Sequence, residues 1–513
     1  MFQLRATSTS SPDQVDFFKL VTKRPPAVLL AAIFAYVIVY RIATPPINAL
    51  IFDSGAEHLT LRTLSNALLQ LALFFPILFL RRVGLFHPLA FPSLYNAAFD
   101  VVFQPLHLFA PFLISFRPFL EVSTSYSIHM AAVTPSEYAV LNIKSDLINT
   151  LFVICTYLGF AFASKVWVPR LSAGSENFRA YASAAKIYLV ITIAIAAVFI
   201  ASRGGIESQI LSFYQGRYET LSGMGAFFAP VKAAIVALML WVAVVRRPGK
   251  DFWILFIVLA PLYWLVDGSR SSLIVLVLSC LVVHAMRNHR IPWKALIVSA
   301  VFAFLAFGLL GILRHDFKAD SVDFSVLSVD GIIDAVEASQ AETSKRNAEE
   351  ADIAVIRTAE DFSGYLLGRS YLSILAFPIP RAVWPNKPKN IYTYVNWVAF
   401  QGNPMDSFAP HTWGIPIDPS TEAYWNFGYL GVVCVGLFVG LGLCIFYKSL
   451  KLSPSSPWIL VIYIQSLLYV NGGSRWAFYF IQNSITLFVI VTLAAFLSRF
   501  YKDSNQSSAG SSR

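Results

Sequence analysis

The chain has 513 residues, of which 57% are hydrophobic, 15% aromatic and only 13% charged, with a mean hydropathy of +0.62. Soluble globular proteins carry about 25% charged residues, so a soluble enzyme, a disordered chain and a fibrous repeat are excluded, leaving a multi-pass membrane protein with apolar spans of about 20 residues. The net charge of +10 is read as the excess of Lys and Arg in cytoplasmic loops, so no nucleic-acid partner is expected.

In chain order, a polar tail over 1–26 ends at Lys23-Arg24-Pro25-Pro26. The apolar run from Ala27 is span-length and lacks an A-x-A site, so it reads as an anchor and not a cleaved leader. A second run starts near Asn66 and stops at Arg81-Arg82. A third, 94–115, is apolar but interrupted by Asp100, Pro105 and Pro111. Further runs cover 147–164, 186–202, 227–245, 252–267, 271–286, 295–313, 423–447, 457–472 and 476–498. The basic clusters Arg81/Arg82, Lys165/Arg170, Arg246/Arg247/Lys250, Arg287/Arg290/Lys294, Lys448/Lys451 and Arg499/Lys502 fall on one side only if 94–115 crosses. The expected fold is therefore all-α: a polytopic helix bundle of about twelve spans with both termini cytoplasmic. Its parts are a tail (1–26), a bundle of about nine spans (27–313), a large outer loop (314–422), three C-terminal spans (423–498) and a second tail (499–513).

The outer loop carries more acids than bases, the reverse of the inner face. Its first half, Ser325 to Gly368, has amphipathic patterning such as Ile332, Ile333 and Val336 beside Asp334 and Glu337. That predicts one or two helices across the bundle mouth. Its second half is punctuated by proline: Phe377-Pro378-Ile379-Pro380-Arg381-Ala382-Val383-Trp384-Pro385-Asn386-Lys387-Pro388, then His411, Trp413 and Asp418-Pro419. Proline at this density forbids long helix and fixes turns.

Arginines recur at the outer surface: Arg203, Arg217, Arg270, Arg314, Arg381 and Arg475. The positive-inside rule disfavours them there, and an anionic ligand would retain them. Arg matches phosphate oxygens with a planar fork and stays charged. Arg270 and Arg475 stand out, because each sits in a Gly/Ser turn between two spans. His411 is a candidate general base, and Glu422 at the start of a span is a second. Glu360 and Asp361 read as a solvated face. The four cysteines, Cys155, Cys280, Cys434 and Cys444, lie in apolar stretches and suggest neither disulfide nor zinc site. There is no D-x-D, Walker A, G-x-S-x-G or H-E-x-x-H pattern, so neither metal nor cofactor is expected. Charge within the spans is nearly absent, which speaks against a transporter.

Three segments, Asp267-Gly268-Ser269-Arg270-Ser271-Ser272, Ile379 to Pro388, and Glu422-Ala423-Tyr424-Trp425-Asn426-Phe427-Gly428, resemble the Wzy-type O-antigen and oligosaccharide repeat-unit polymerases. The order of spans and the single late outer loop fit as well. The resemblance implies a GT-C-like, metal-independent glycosyltransferase of the bacterial inner membrane. It would transfer a growing glycan from a polyprenyl diphosphate carrier to a new lipid-linked repeat unit at the outer leaflet. On that reading Arg381, Arg270, His411 and Glu422 are catalytic, and Arg217, Arg475, Arg314 and Lys387 bind the diphosphate. Trp384, Trp413 and Tyr424 stack on sugars. The partners implied are the lipid-linked oligosaccharide, the bilayer, a chain-length regulator and a flippase. The rival readings are an O-antigen ligase, with the same donor and another acceptor, and a non-enzymatic flippase or transporter.

Overall fold

A computed structural model describes residues 16–51, 58–103, 133–169, 177–206, 208–209, 225–245, 249–267, 270–299, 348–361, 363–376, 379, 383–384, 386–389, 391–395 and 417–510. Among these residues the only regular structure is helical.

The chain enters through α1 (Lys19–Thr22) and α2 (Ala27–Ala35), which passes through a π-helical stretch at Tyr36–Ala43 into α3 (Thr44–Ile51). It continues through α4 (Leu59–Phe79), α5 (Phe91–Phe103), α6 (Pro135–Ala163) and α7 (Phe178–Ser202). Next come α8 (Gly225–Lys232), α9 (Ala234–Val244), α10 (Lys250–Asp267) and α11 (Arg270–Asn288). The segment 314–422 contributes α12 (Ala348–Asp361), α13 (Arg369–Ala376) and α14 (Ile391–Tyr394). The chain closes with α15 (Pro419–Leu452), α16 (Pro457–Tyr469) and α17 (Ser474–Gly510).

Among the described residues, six stretches are long and apolar enough to cross a membrane: Ala27–Ile47, Leu59–Phe79, Ser136–Ala163, Phe178–Ser202, Pro419–Leu452 and Ser474–Arg499. Three shorter apolar helices, Phe228–Val244, Ser272–Asn288 and Pro457–Tyr469, fall on other apolar runs of the sequence. Of the interrupted run 94–115, Phe91–Phe103 is helical and residues 104–115 lie outside the described set, as does 295–313 from residue 300 onward. Of the expected total of about twelve, six long spans stand among the described residues. All of α9 is buried, as a helix apolar on every face must be. Phe438, Phe488 and Ile485 instead point outward, as suits a lipid-facing surface.

Glycines set the closest helix pair. Ideal Cβ atoms on Gly440 and Gly159 would lie 2.0 Å from the Thr156 carbonyl oxygen and 2.2 Å from that of Leu437. Small residues thus bring α6 and α15 to backbone contact, where dispersion replaces the hydrophobic drive that lipid removes. The pair runs parallel. Asn149 meets Asp418 near the start of α15, and Lys448 Nζ donates to the Ala163 and Val166 carbonyls at its other end, at 3.0 and 2.5 Å. Helices α4 and α6 are parallel too: His58 meets Ser136, Ser65 Oγ donates to Asp146, and Tyr157 OH donates to the Ala72 carbonyl.

The two ends of the bundle differ. One gathers the basic loops. There Phe17 N donates to the Pro454 carbonyl and Gly84 N to that of Val21, Arg287 reaches the Ala243 carbonyl, and Lys186 pairs with Asp251. His87 lies at the same end between the Phe160 and Tyr447 rings, and burial pulls its imidazole down to about 4. The other end gathers the starts of α6, α15 and α17 with α12, α13 and α14.

Candidate functional site

The second end is organised by one carboxylate. Glu422 lies in the first turn of α15 and is 2% exposed. Its Oε1 accepts from Ser370 Oγ at 2.6 Å, and its Oε2 accepts from the Ser474 backbone N–H at 2.9 Å. Ser474 opens α17, so this side chain satisfies one of that helix's orphan N–H groups from a distant part of the chain. One turn further along α15, Asn426 Nδ2 donates to Ser370 Oγ and to the Glu422 carbonyl, both at 2.8 Å. Three helices therefore meet at Glu422.

Just beyond, α15 is broken. Phe427 (φ −144°, ψ 19°) and Gly428 (φ 62°, ψ −150°) leave helical conformation. The break frees the Trp425 and Asn426 carbonyls, which accept from the N–H groups of Leu366 and Leu367 at 2.8 and 3.0 Å. Gly368 (φ +83°) gives passage to the Phe427 ring, since a Cβ there would lie 2.9 Å from its Cζ. The segments Gly364-Tyr365-Leu366-Leu367-Gly368-Arg369-Ser370 and Glu422 to Gly428 thus form one interlocked unit.

Thr421 Oγ1, Asn426 Oδ1 and Tyr371 OH are buried around this unit without a hydrogen-bond partner among the described residues. Each such atom, left without any partner, costs roughly 1–3 kcal/mol. Burial, reinforced by the Glu422 charge, holds the Tyr371 phenol well above its ordinary pKa.

Basic side chains flank the carboxylate. Arg475 follows Ser474, its Nε donates to Tyr479 OH at 3.2 Å, and its guanidinium stands 4.4 Å from the centre of the Tyr392 ring. Arg369 precedes Ser370. It is exposed, with no ion pair or side-chain hydrogen bond among the described residues, and its charge partly offsets the upward shift that burial gives the Tyr394 phenol. Lys232 Nζ is 3.2 Å from Ser272 Oγ and 5.1 Å from the Tyr479 ring centre. That brings the start of α11, where Arg270 lies, to the same region.

A second charged network braces α12 against α6 and α15. Lys144 and Tyr424 both bond to Glu360. Arg357 pairs with Glu137 at 3.1 Å and Asp361 at 3.7 Å, and Asp352 Oδ1 accepts from the Asp418 N–H at 2.9 Å. Glu360 and Asp361 are exposed, as the expected solvated face requires, and both carboxylates are also paired across or along helices. Tyr424, expected to stack on a sugar, is 2% exposed and enclosed by the Tyr365 and Tyr429 rings.

In the Pro-rich segment, Lys387 Nζ donates to the Ile379 carbonyl at 2.9 Å and the Lys387 N–H to that of Trp384. The ammonium expected to meet a diphosphate thus closes its own turn, while Trp384 stays 38% exposed. Arg217, Arg314, Arg381, His411 and Trp413 lie outside the described residues, and Arg270 is placed only as the first residue of α11.

Sequence reasoning missed Arg369, Ser370, Tyr392 and Lys232. Two signals were available. Lys232 is the one charge inside the apolar run 227–245, and Arg369-Ser370 mirrors Ser474-Arg475.

Against models of known protein families, residues 102–504 match the model described as O-antigen polysaccharide polymerase Wzy. No curated protein and no solved structure matches the chain.

Proposed function

The chain belongs to the O-antigen polysaccharide polymerase Wzy family, and from that premise we propose that it joins polyprenyl-diphosphate-linked oligosaccharide repeat units en bloc at the outer leaflet of the inner membrane. The bond from the donor's anomeric carbon to its diphosphate breaks, and a bond to an acceptor hydroxyl oxygen forms. The hydroxyl proton leaves to a base, and the polyprenyl diphosphate departs. Arg475, with Arg270, Arg381, Arg217 and Arg314, stabilises the charge growing on the diphosphate, so no metal is needed. His411 serves as base, because both Glu422 oxygens already accept from protein donors. Trp384 and Trp413 present ring faces to sugars. A chain-length regulator and a flippase are the partners this reaction calls for.

The observation that carries this reading is the arginine-flanked carboxylate at the end of the bundle opposite the basic loops, within the matched region. Cytoplasmic termini follow from the same polarity. The parallel pairs support the crossing count, because two parallel membrane helices need an odd number of crossings between them. Alkaline phosphatase fused after Gly84 is expected to be inactive, and fused after Thr134 active. Equal activity at both positions would remove the crossing between them.

The reading is tested by a gel of surface glycan from a strain lacking this gene. A single repeat unit replacing the wild-type ladder is the expected result. Long polymer accumulating on its lipid carrier would mean a ligase, and single lipid-linked units trapped inside would mean a flippase.

A further inference from the structure

Two dipeptides of opposite order, Arg369-Ser370 and Ser474-Arg475, meet across the Glu422 carboxylate. Each serine is held directly, so each arginine is one residue from a fixed point. The short helix α14 completes the arrangement. Its Tyr392 ring lies beneath the Arg475 guanidinium, and its Tyr394 is in the field of Arg369. A carboxylate suits this position because it accepts on both oxygens and donates on neither. Ser370 Oγ already accepts from Asn426, so its proton is committed to Glu422. A glutamine would set an N–H2 against one of the two donors.

We propose that Glu422 is a positioning residue, whose carboxylate fixes the separation of Arg369 and Arg475 so that both guanidiniums address one diphosphate of the lipid-linked substrate. This rests on the polymerase reading and adds Arg369 to the groups that meet the substrate. Removing one acceptor loosens one serine, and the neighbouring arginine loses its register with the phosphate oxygens. The hold on the diphosphate weakens in the bound substrate and in the departing group alike, while proton transfer from the acceptor is untouched.

The test uses the full chain in lipid nanodiscs, with lipid-linked repeat units extracted from a strain lacking this gene. Kinetics are measured across pH for Glu422→Gln, Ser370→Ala, Arg369→Ala and the double variant Glu422→Gln/Arg369→Ala. Glu422→Gln and Ser370→Ala are each expected to lower kcat/KM about tenfold, the size of one charge-assisted hydrogen bond. Both limbs of the pH profile should stay in place. In the double variant, Glu422→Gln should add less than about twofold to the Arg369→Ala effect, because coupled residues do not add. Loss of kcat together with one pH limb would make Glu422 the base and overturn the proposal. Wild-type kinetics in both single variants, or full additivity in the double, would overturn it as well. If Glu422→Gln fails to insert, Ser370→Ala, which removes one hydroxyl, decides the matter. A wild-type control that makes no polymer from these units would refute the polymerase reading itself, and the proposal with it.

Discussion

Arg475→Ala is expected to abolish the surface-glycan ladder while the protein stays in the membrane at wild-type level. The guanidinium sits on the Tyr392 and Tyr479 rings and bonds to Tyr479 OH. These contacts aim a permanently charged fork instead of contributing much stability. A cation–π contact is worth roughly 0.5–2 kcal/mol, too little to unfold a bundle of this size. Loss of one donor aimed at developing charge costs about 10²–10³ in rate. Turnover that slow leaves only single repeat units on the surface. Arg475→Lys keeps the charge but loses the planar fork, so a sparse, short ladder is expected from it. The check is a glycan gel beside an immunoblot of the membrane fraction. A full ladder from Arg475→Ala would remove this residue from the mechanism.

Gly428→Val is expected to eliminate polymer by a different route, through the break in α15. At φ 62° and ψ −150° the backbone occupies a region essentially restricted to glycine, where other residues are strained by about 1–3 kcal/mol or more. A β-branched side chain raises that cost and drives residues 427–428 back to helix. Helix continuation would offer the Trp425 and Asn426 carbonyls their own N–H partners and release those of Leu366 and Leu367. The segment carrying Arg369 and Ser370 then loses its dock. Limited proteolysis should cut between Asp361 and Ala376 in the variant and not in the wild type, and the ladder should vanish. Gly428→Ala should show a weaker form of both effects. An unchanged digest with a full ladder would show that the break is not needed.

Much of the architecture was legible in the sequence because lipid imposes a simple rule. Backbone polar groups must be satisfied within the segment, so each span appears as an uninterrupted apolar run. Runs such as 186–202, 423–447 and 476–498 became Phe178–Ser202, Pro419–Leu452 and Ser474–Arg499. The short turn at Asn471-Gly472-Gly473-Ser474-Arg475 singled out Arg475, whose guanidinium stands over the Tyr392 ring. Tyr424 misled, because local sequence at the start of a helix says nothing about what will cover it: here it is buried and bonds to Glu360 across α12 and α15. Lys232 was overlooked because a window average absorbs one charge in an apolar run. The structure locates it beside Ser272 and Tyr479.

By itself the sequence determined the membrane class, the apolar runs, the gathering of basic loops on one side, and Arg475 and Glu422 as residues of interest. These follow from composition and local periodicity, which are summed along the chain. Only the tertiary structure decided what Glu422 does. Its two partners are each 52 residues away, in opposite directions, and neither announces itself. Whether a carboxylate works as base, surface charge or brace depends on which donors reach its oxygens. Those donors belong to α13, which docks where α15 breaks at Phe427 and Gly428, and to α17, which opens at Ser474.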